Sequence, residues 1–109
     1  MKEGRGVFIV WATIPPEKEE AFNRWYNEDH LPKTLEWLPG VKSGRRYKIV
    51  EGDDQYRYMA VYEFESYEAM DKATKSDQIK RLIGEYNKAW GEGGRKWLKT
   101  VEIKNLIVG

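Results

Sequence analysis

The sequence predicts an α+β domain in which a four-stranded antiparallel sheet is crossed by two helical stretches. Three observations carry this. Short β-branched and aromatic runs stand near 6–14, 41–50, 56–65 and 97–107. Helical spacing fills the gaps after the first run and after the third. Turn residues punctuate the borders, and no repeat or linker divides the 109 residues, so one domain spans 1–109.

The first strand, 6–14, reads GVFIVWATI and is apolar on both faces. Pro15-Pro16 stops it, and Pro16 suits the first turn of a helix, where its missing N–H costs nothing. Glu17, Glu19 and Glu20 follow, favourable at the positive end of the helix dipole. Phe22, Trp25, Tyr26 and Asp29 share one helical face, with His30 at its edge. Pro32 cannot donate, so a kink or break is expected at 30–32, then a short helical turn over 35–38. Pro39-Gly40 turns the chain into the second strand. Strict alternation there puts Val41, Ser43, Arg45 and Tyr47 on one face and Lys42, Gly44, Arg46 and Lys48 on the other. Residues 51–54 form a hairpin-type turn. In the third strand Tyr58, Ala60, Tyr62 and Phe64 oppose Met59 and Val61. Ser66 caps the next helix, which restarts after Ser76. Ile79, Leu82, Ile83, Tyr86 and Trp90 give the cleanest helical spacing in the chain, ended by Gly91 and Gly93-Gly94.

Right-handed crossovers in this order give a ferredoxin-like βαββαβ domain with both helical stretches on one face of the sheet. The middle strands, first and third, are apolar on both faces. The uncovered face leaves Trp11 or Phe8, with Tyr58 or Met59, open to water. A patch of that kind predicts a homodimer packed sheet against sheet.

Composition excludes several functions. The absence of cysteine removes disulfides, cysteine-ligated metals and thiol catalysis, and fits a reducing cytoplasm. The 19 basic and 18 acidic residues leave a net charge of +1, which argues against a nucleic-acid partner. The stretch YRYMAVY at 56–62 is only loosely similar to the aromatic motif of RNA-binding sheets. No apolar run approaches the roughly 20 residues needed to cross a bilayer, so no membrane partner is expected. A metal site is not expected, because one histidine with scattered carboxylates offers no ligand spacing. No glycine-rich loop opens a helix to cradle phosphate.

The segment FNRWYNEDHLPK at 22–33, followed by LPGV at 38–41, resembles the dimeric α+β barrel superfamily. Within it the segment is similar to EthD-type domains, muconolactone methylisomerase-like proteins and small aromatic polyketide cyclases. The stretch YNKAWGEGG at 86–94 fits the same layout. The resemblance spans nearly the whole chain and implies the fold more specifically than any one reaction. It includes cofactor-free isomerases and cyclases as well as haem-using monooxygenases.

His30, the single histidine, is the first candidate for chemistry. In the isomerase-like and EthD-like members a histidine at the matching helical step faces the cavity, which makes His30 the implied general base or acid. Its ordinary pKa near 6.5 suits proton transfer. The plain alternative is a helix-capping residue. Tyr47 resembles a cavity tyrosine of the isomerase-like members and is the second catalytic candidate, as the donor to an oxyanion. Tyr26, Trp11, Arg45, Tyr58 and Tyr62 form the expected substrate-binding set. An inward arginine would hold a carboxylate, and since Arg45 and Arg46 point oppositely, at most one can do so. For any of the rings, core filling is the competing use.

The sequence thus points to a cofactor-free enzyme moving a proton on a small oxygenated, aromatic or lactone-like molecule. The chain lacks the further histidines and the cysteine that some of the isomerase-like members carry. A non-catalytic binding or accessory dimer is the alternative. Haem-dependent oxidation is the third reading and would need His30 as the iron ligand, whereas haem-degrading relatives take theirs elsewhere.

Overall fold

The computed structural model describes residues 4–107. Its four strands are β1 (Gly6–Ala12), β2 (Val41–Lys48), β3 (Tyr58–Phe64) and β4 (Arg95–Val101). They lie in the order β2-β3-β1-β4, and every pairing is antiparallel. The helices are α1 (Glu19–Trp25), α2 (Leu31–Trp37), α3 (Tyr67–Thr74) and α4 (Asp77–Trp90). This is the ferredoxin-like α+β arrangement expected from the order of elements.

The alternation of β3 sorts the two faces of the sheet. Tyr58, Ala60, Tyr62 and Phe64 are buried beneath the helices, while Met59, Val61 and Glu63 on the other face are half-buried. Phe22, Phe64 and Met70 are sealed completely. Gly6 lets β1 press against α3, since a Cβ there would lie 2.6 Å from the Ser66 carbonyl oxygen. Ser66 and Ser76 each accept a hydrogen bond from the backbone N–H three residues on, which sets the starts of α3 and α4. Gly91, at φ 91°, ends α4.

Four expectations change. The first helical stretch does not break at Pro32. Residues Tyr26–His30 form a π turn, in which the Leu31 N–H reaches back to the Tyr26 carbonyl, and the helix continues to Trp37. The wider turn absorbs the donor that Pro32 lacks. The second strand is not a plain alternation. Val41 pairs with Phe64 and Ser43 with Glu63, so a bulge falls between them. Gly44, Arg46 and Lys48 then stand opposite Tyr62, Ala60 and Tyr58, which turns them to the helix side with Val41. Ser43, Arg45 and Tyr47 are thrown to the open side. The last strand ends at Val101 rather than 107, because its ladder with β1 closes at Glu102 against Gly4 and Arg5. The first strand is also shorter than expected and stops at Ala12.

Candidate functional site

Helix α4 packs on α2 and α3 and stands off the sheet. The gap is a cavity of about 340 Å³, floored by β1 and β3 and walled by the first helical stretch and α4. Its lining is mostly rings and aliphatic groups, with a few polar atoms brought in from separate elements. Exposed Trp97 and Ile83 stand at its mouth.

The π turn delivers His30 into this space. Its imidazole stacks on Trp25, with centroids 4.7 Å apart and planes 16° apart, and meets the edge of Tyr26 at 5.0 Å. The ring is 6% exposed, and its Nδ1 is buried without a hydrogen-bond partner. Burial, foremost, lowers its pKa from 6.5 to about 4. Arg95 and Lys33 push the same way, while Glu85 and Asp29 oppose them. His30 is therefore neutral at pH 7. Thr34, one turn on, donates from its hydroxyl to the His30 carbonyl at 2.7 Å.

Tyrosines surround the imidazole. The Tyr26 and Tyr62 hydroxyls lie 3.0 Å apart and share a hydrogen bond. Burial raises the pKa of both, and it pushes Tyr86 up to about 12. All three stay protonated. Tyr58 lines the cavity with its ring, but its hydroxyl is occupied. It donates to Glu19 at 2.6 Å and accepts from the Asn23 amide at 3.2 Å.

Two guanidiniums complete the lining. The bulge brings Arg46 from β2 over the Tyr26 ring, 4.4 Å from its centroid. Its nitrogens donate to Asn27 at 2.8 Å and Asn23 at 2.9 Å. Burial lowers its pKa. Arg95 enters from β4, 4.0 Å from the Tyr86 centroid, and donates to Asn87 at 2.5 Å.

The cavity thus gathers four of the expected residues, His30, Tyr26, Tyr58 and Tyr62. It does not gather Trp11, Arg45 or Tyr47. Trp11 pairs with Met59 and Lys96 on the open side of the sheet. There the Lys96 ammonium sits 4.7 Å from the indole centroid. Tyr47, 45% exposed, also lies opposite Met59, and Arg45 faces Glu63 across 3.8 Å. The bulge is the reason for Arg45 and Tyr47. Sequence reasoning did not assign Arg46, Arg95, Tyr86 and Thr34 to the site. Thr34 was signalled by its four-residue spacing from His30, and Tyr86 by the α4 stripe. Arg46 had only the even chance left between two neighbouring arginines. Among the described residues no group of three or more histidine, aspartate and glutamate side chains is arranged to hold a metal ion.

No family model matches the sequence, and no curated protein does. Solved structures do. An EthD-family protein from Bacillus halodurans is 20% identical and superposes with a TM-score of 0.71, over 92% of this chain and 99% of that one. A DABB-family protein from Mesorhizobium loti with a ferredoxin-like fold is 12% identical, TM-score 0.67, over 94% and 100%. A dimeric protein of unknown function from Bacteroides fragilis, also ferredoxin-like, is 10% identical, TM-score 0.64, over 94% and 100%. At these identities the likeness shows the fold, and it agrees with the resemblance carried by the His30 helix: the chain is a ferredoxin-like α+β domain of the kind found in EthD-family and DABB-family proteins.

Proposed function

We propose that this protein is a cofactor-free enzyme that moves a proton on a small oxygenated molecule, aromatic or lactone-like, inside the cavity. The observation that carries the reading is His30, a neutral imidazole that lines the cavity beside the protonated tyrosines Tyr26 and Tyr86. In the proposed step His30 takes the proton from a carbon next to a carbonyl and returns it at another position. The electron pair passes to the carbonyl oxygen, and Tyr26 or Tyr62 donates to that oxyanion. This replaces Tyr47, whose place on the other face of the sheet removes it from the step. Donors fixed in advance in a dry site are typically worth a few kcal/mol.

The functional unit is proposed to be a homodimer joined through the open sheet faces. Val7, Ile9, Trp11, Met59 and Val61 support this, since all five are apolar and only half-buried.

A second reading, binding without turnover, is favoured by one observation. An imidazole of pKa about 4 is a weak base until something in the cavity raises it. The two readings separate by ¹H NMR in D₂O, following loss of the α-proton signal from a panel of aryl ketones and lactones. The enzyme should speed exchange for at least one member. His30→Ala should cut that rate at least about 100-fold with the fold intact by circular dichroism. Undiminished exchange in His30→Ala removes the base. No exchange across the panel leaves the binding reading.

A further inference from the structure

We propose that the cavity selects an anionic ligand, a carboxylate on an aromatic or apolar body, with the carboxylate held by Arg46 and Arg95. This deepens the reading of the cavity as a ligand site but does not depend on catalysis.

Arg46 and Arg95 are both half-buried, and both project from edge strands onto the helix-covered face of the sheet. Their side-chain hydrogen bonds go to Asn23, Asn27 and Asn87, all neutral amides, and their flat sides lie on tyrosine rings. Neither makes an ion pair among the described residues. Other half-buried cations are treated differently. Lys33 meets Glu85 at 3.1 Å and Asp29 at 3.3 Å, and Lys99 meets Asp71 at 2.6 Å. A guanidinium partly removed from water and left without a counter-charge is costly. Here two such groups border one cavity. Glu92 stands at the mouth but pairs with neither, and the nearby histidine is neutral.

The field of both arginines reaches the interior, where each works against burial on Tyr26 and on Tyr86. An arriving carboxylate would supply the missing charge and use the guanidinium donors that the amides leave free. The apolar remainder of the ligand matches the ring-lined floor. A cationic ligand would meet two like charges and is excluded on the same ground.

The test uses a matched pair of probes, 2-naphthoate and 2-naphthamide, titrated by tryptophan fluorescence at pH 7. Naphthoate should bind at least about tenfold more tightly, the scale of one charge-assisted contact. Arg46→Gln and Arg95→Gln should each erase most of that preference. Arg46→Lys, which keeps the charge, should retain part of it. Arg45→Gln, with the same change in net charge on the opposite face, should leave it unchanged. Equal affinity for the two probes, binding of neither, or a preference that survives both glutamine variants overturns the proposal. The outcomes separate from those of the proton-transfer reading. Equal affinity together with His30-dependent exchange sinks only the anion, and preference for naphthoate without any exchange sinks only the chemistry.

Discussion

The two faces of the sheet are made by the same strands, yet neighbouring arginines on them find different partners. On the open face Glu63 meets Arg45 at 3.8 Å and Arg5 at 3.5 Å, and Lys96 lies over Trp11 within reach of Asp54 at 3.6 Å. These three positive groups each have a carboxylate near them, in or near solvent, where such pairs are worth little. On the covered face Arg46 and Arg95 have amides and rings instead. Adjacent arginines, 45 and 46, thus fall on opposite sides of this divide. The contrast teaches that the covered face is not simply the better-packed one. It keeps a hollow bordered by two half-buried guanidiniums without carboxylate partners among the described residues, whereas the open face is half apolar and pairs Arg5, Arg45 and Lys96 with carboxylates.

The largest test of that division removes the packing on the covered side. Phe22 is fully buried and touches the rings of Tyr26, Tyr58, Tyr86 and Trp90 at centroid distances of 5.3–6.1 Å. Phe22→Ala should cost about 4 kcal/mol in urea unfolding, through lost transfer energy and the void left behind. A loss under about 1 kcal/mol would mean that the hollow already behaves as an unfilled cavity.

Next in size is the pH dependence of the same face. His30 has a folded pKa of about 4 against an unfolded value of 6.5, so the unfolded chain binds the proton more readily. The stabilisation from keeping the imidazole neutral is complete above about pH 6.5 and is lost as pH falls towards 4. At about 1.4 kcal/mol per pKa unit the full difference is about 3 kcal/mol. The protein has one histidine, so a single Hε1 resonance reports the folded pKa directly. A midpoint near 6.5 would place the ring in water. In His30→Asn the fall in stability between pH 6.5 and 5 should flatten.

The smallest expected effect lies on the open face. Trp11→Glu should leave the unfolding midpoint nearly unchanged at a fixed low concentration. It should weaken dimerisation at least about tenfold by sedimentation, because a buried interface aromatic carries a large share of binding energy. A wild-type chain that sediments as a single subunit at micromolar concentration would show that the open face needs no cover.

Most of the architecture could be read along the chain, because its signals are local. Ser66 and Ser76 sit where a cap is needed, and Ile79, Leu82 and Tyr86 are buried in α4 as their spacing requires. The alternation of β3 likewise survives intact. The site was legible only in part. His30 was marked by the resemblance at its helical step, and Tyr26 and Tyr62 by helical spacing and strand alternation. Arg46 depends on a bulge that exists only in the pairing of β2 with β3, which no stretch of β2 announces. Arg95 was missed for a related reason. Its strand was expected to begin at 97, and the ladder with β1 extends it back to face Ala12. The π turn, too, could not be foreseen, because Pro32 signals a missing donor without saying how the backbone accommodates it.

The π turn has a geometrical consequence for the whole wall of the hollow. Phe22, Tyr26, His30, Thr34 and Leu38 recur every four residues, and all five are buried. In a uniform α-helix each step of four overshoots a full circle by roughly 40°, so the fifth member would have swung about 160° from the first. A turn of wider pitch undershoots instead and cancels part of that drift. One slackened loop of backbone therefore acts as a phase correction, straightening a helical stripe into a column of side chains that reaches the cavity from end to end.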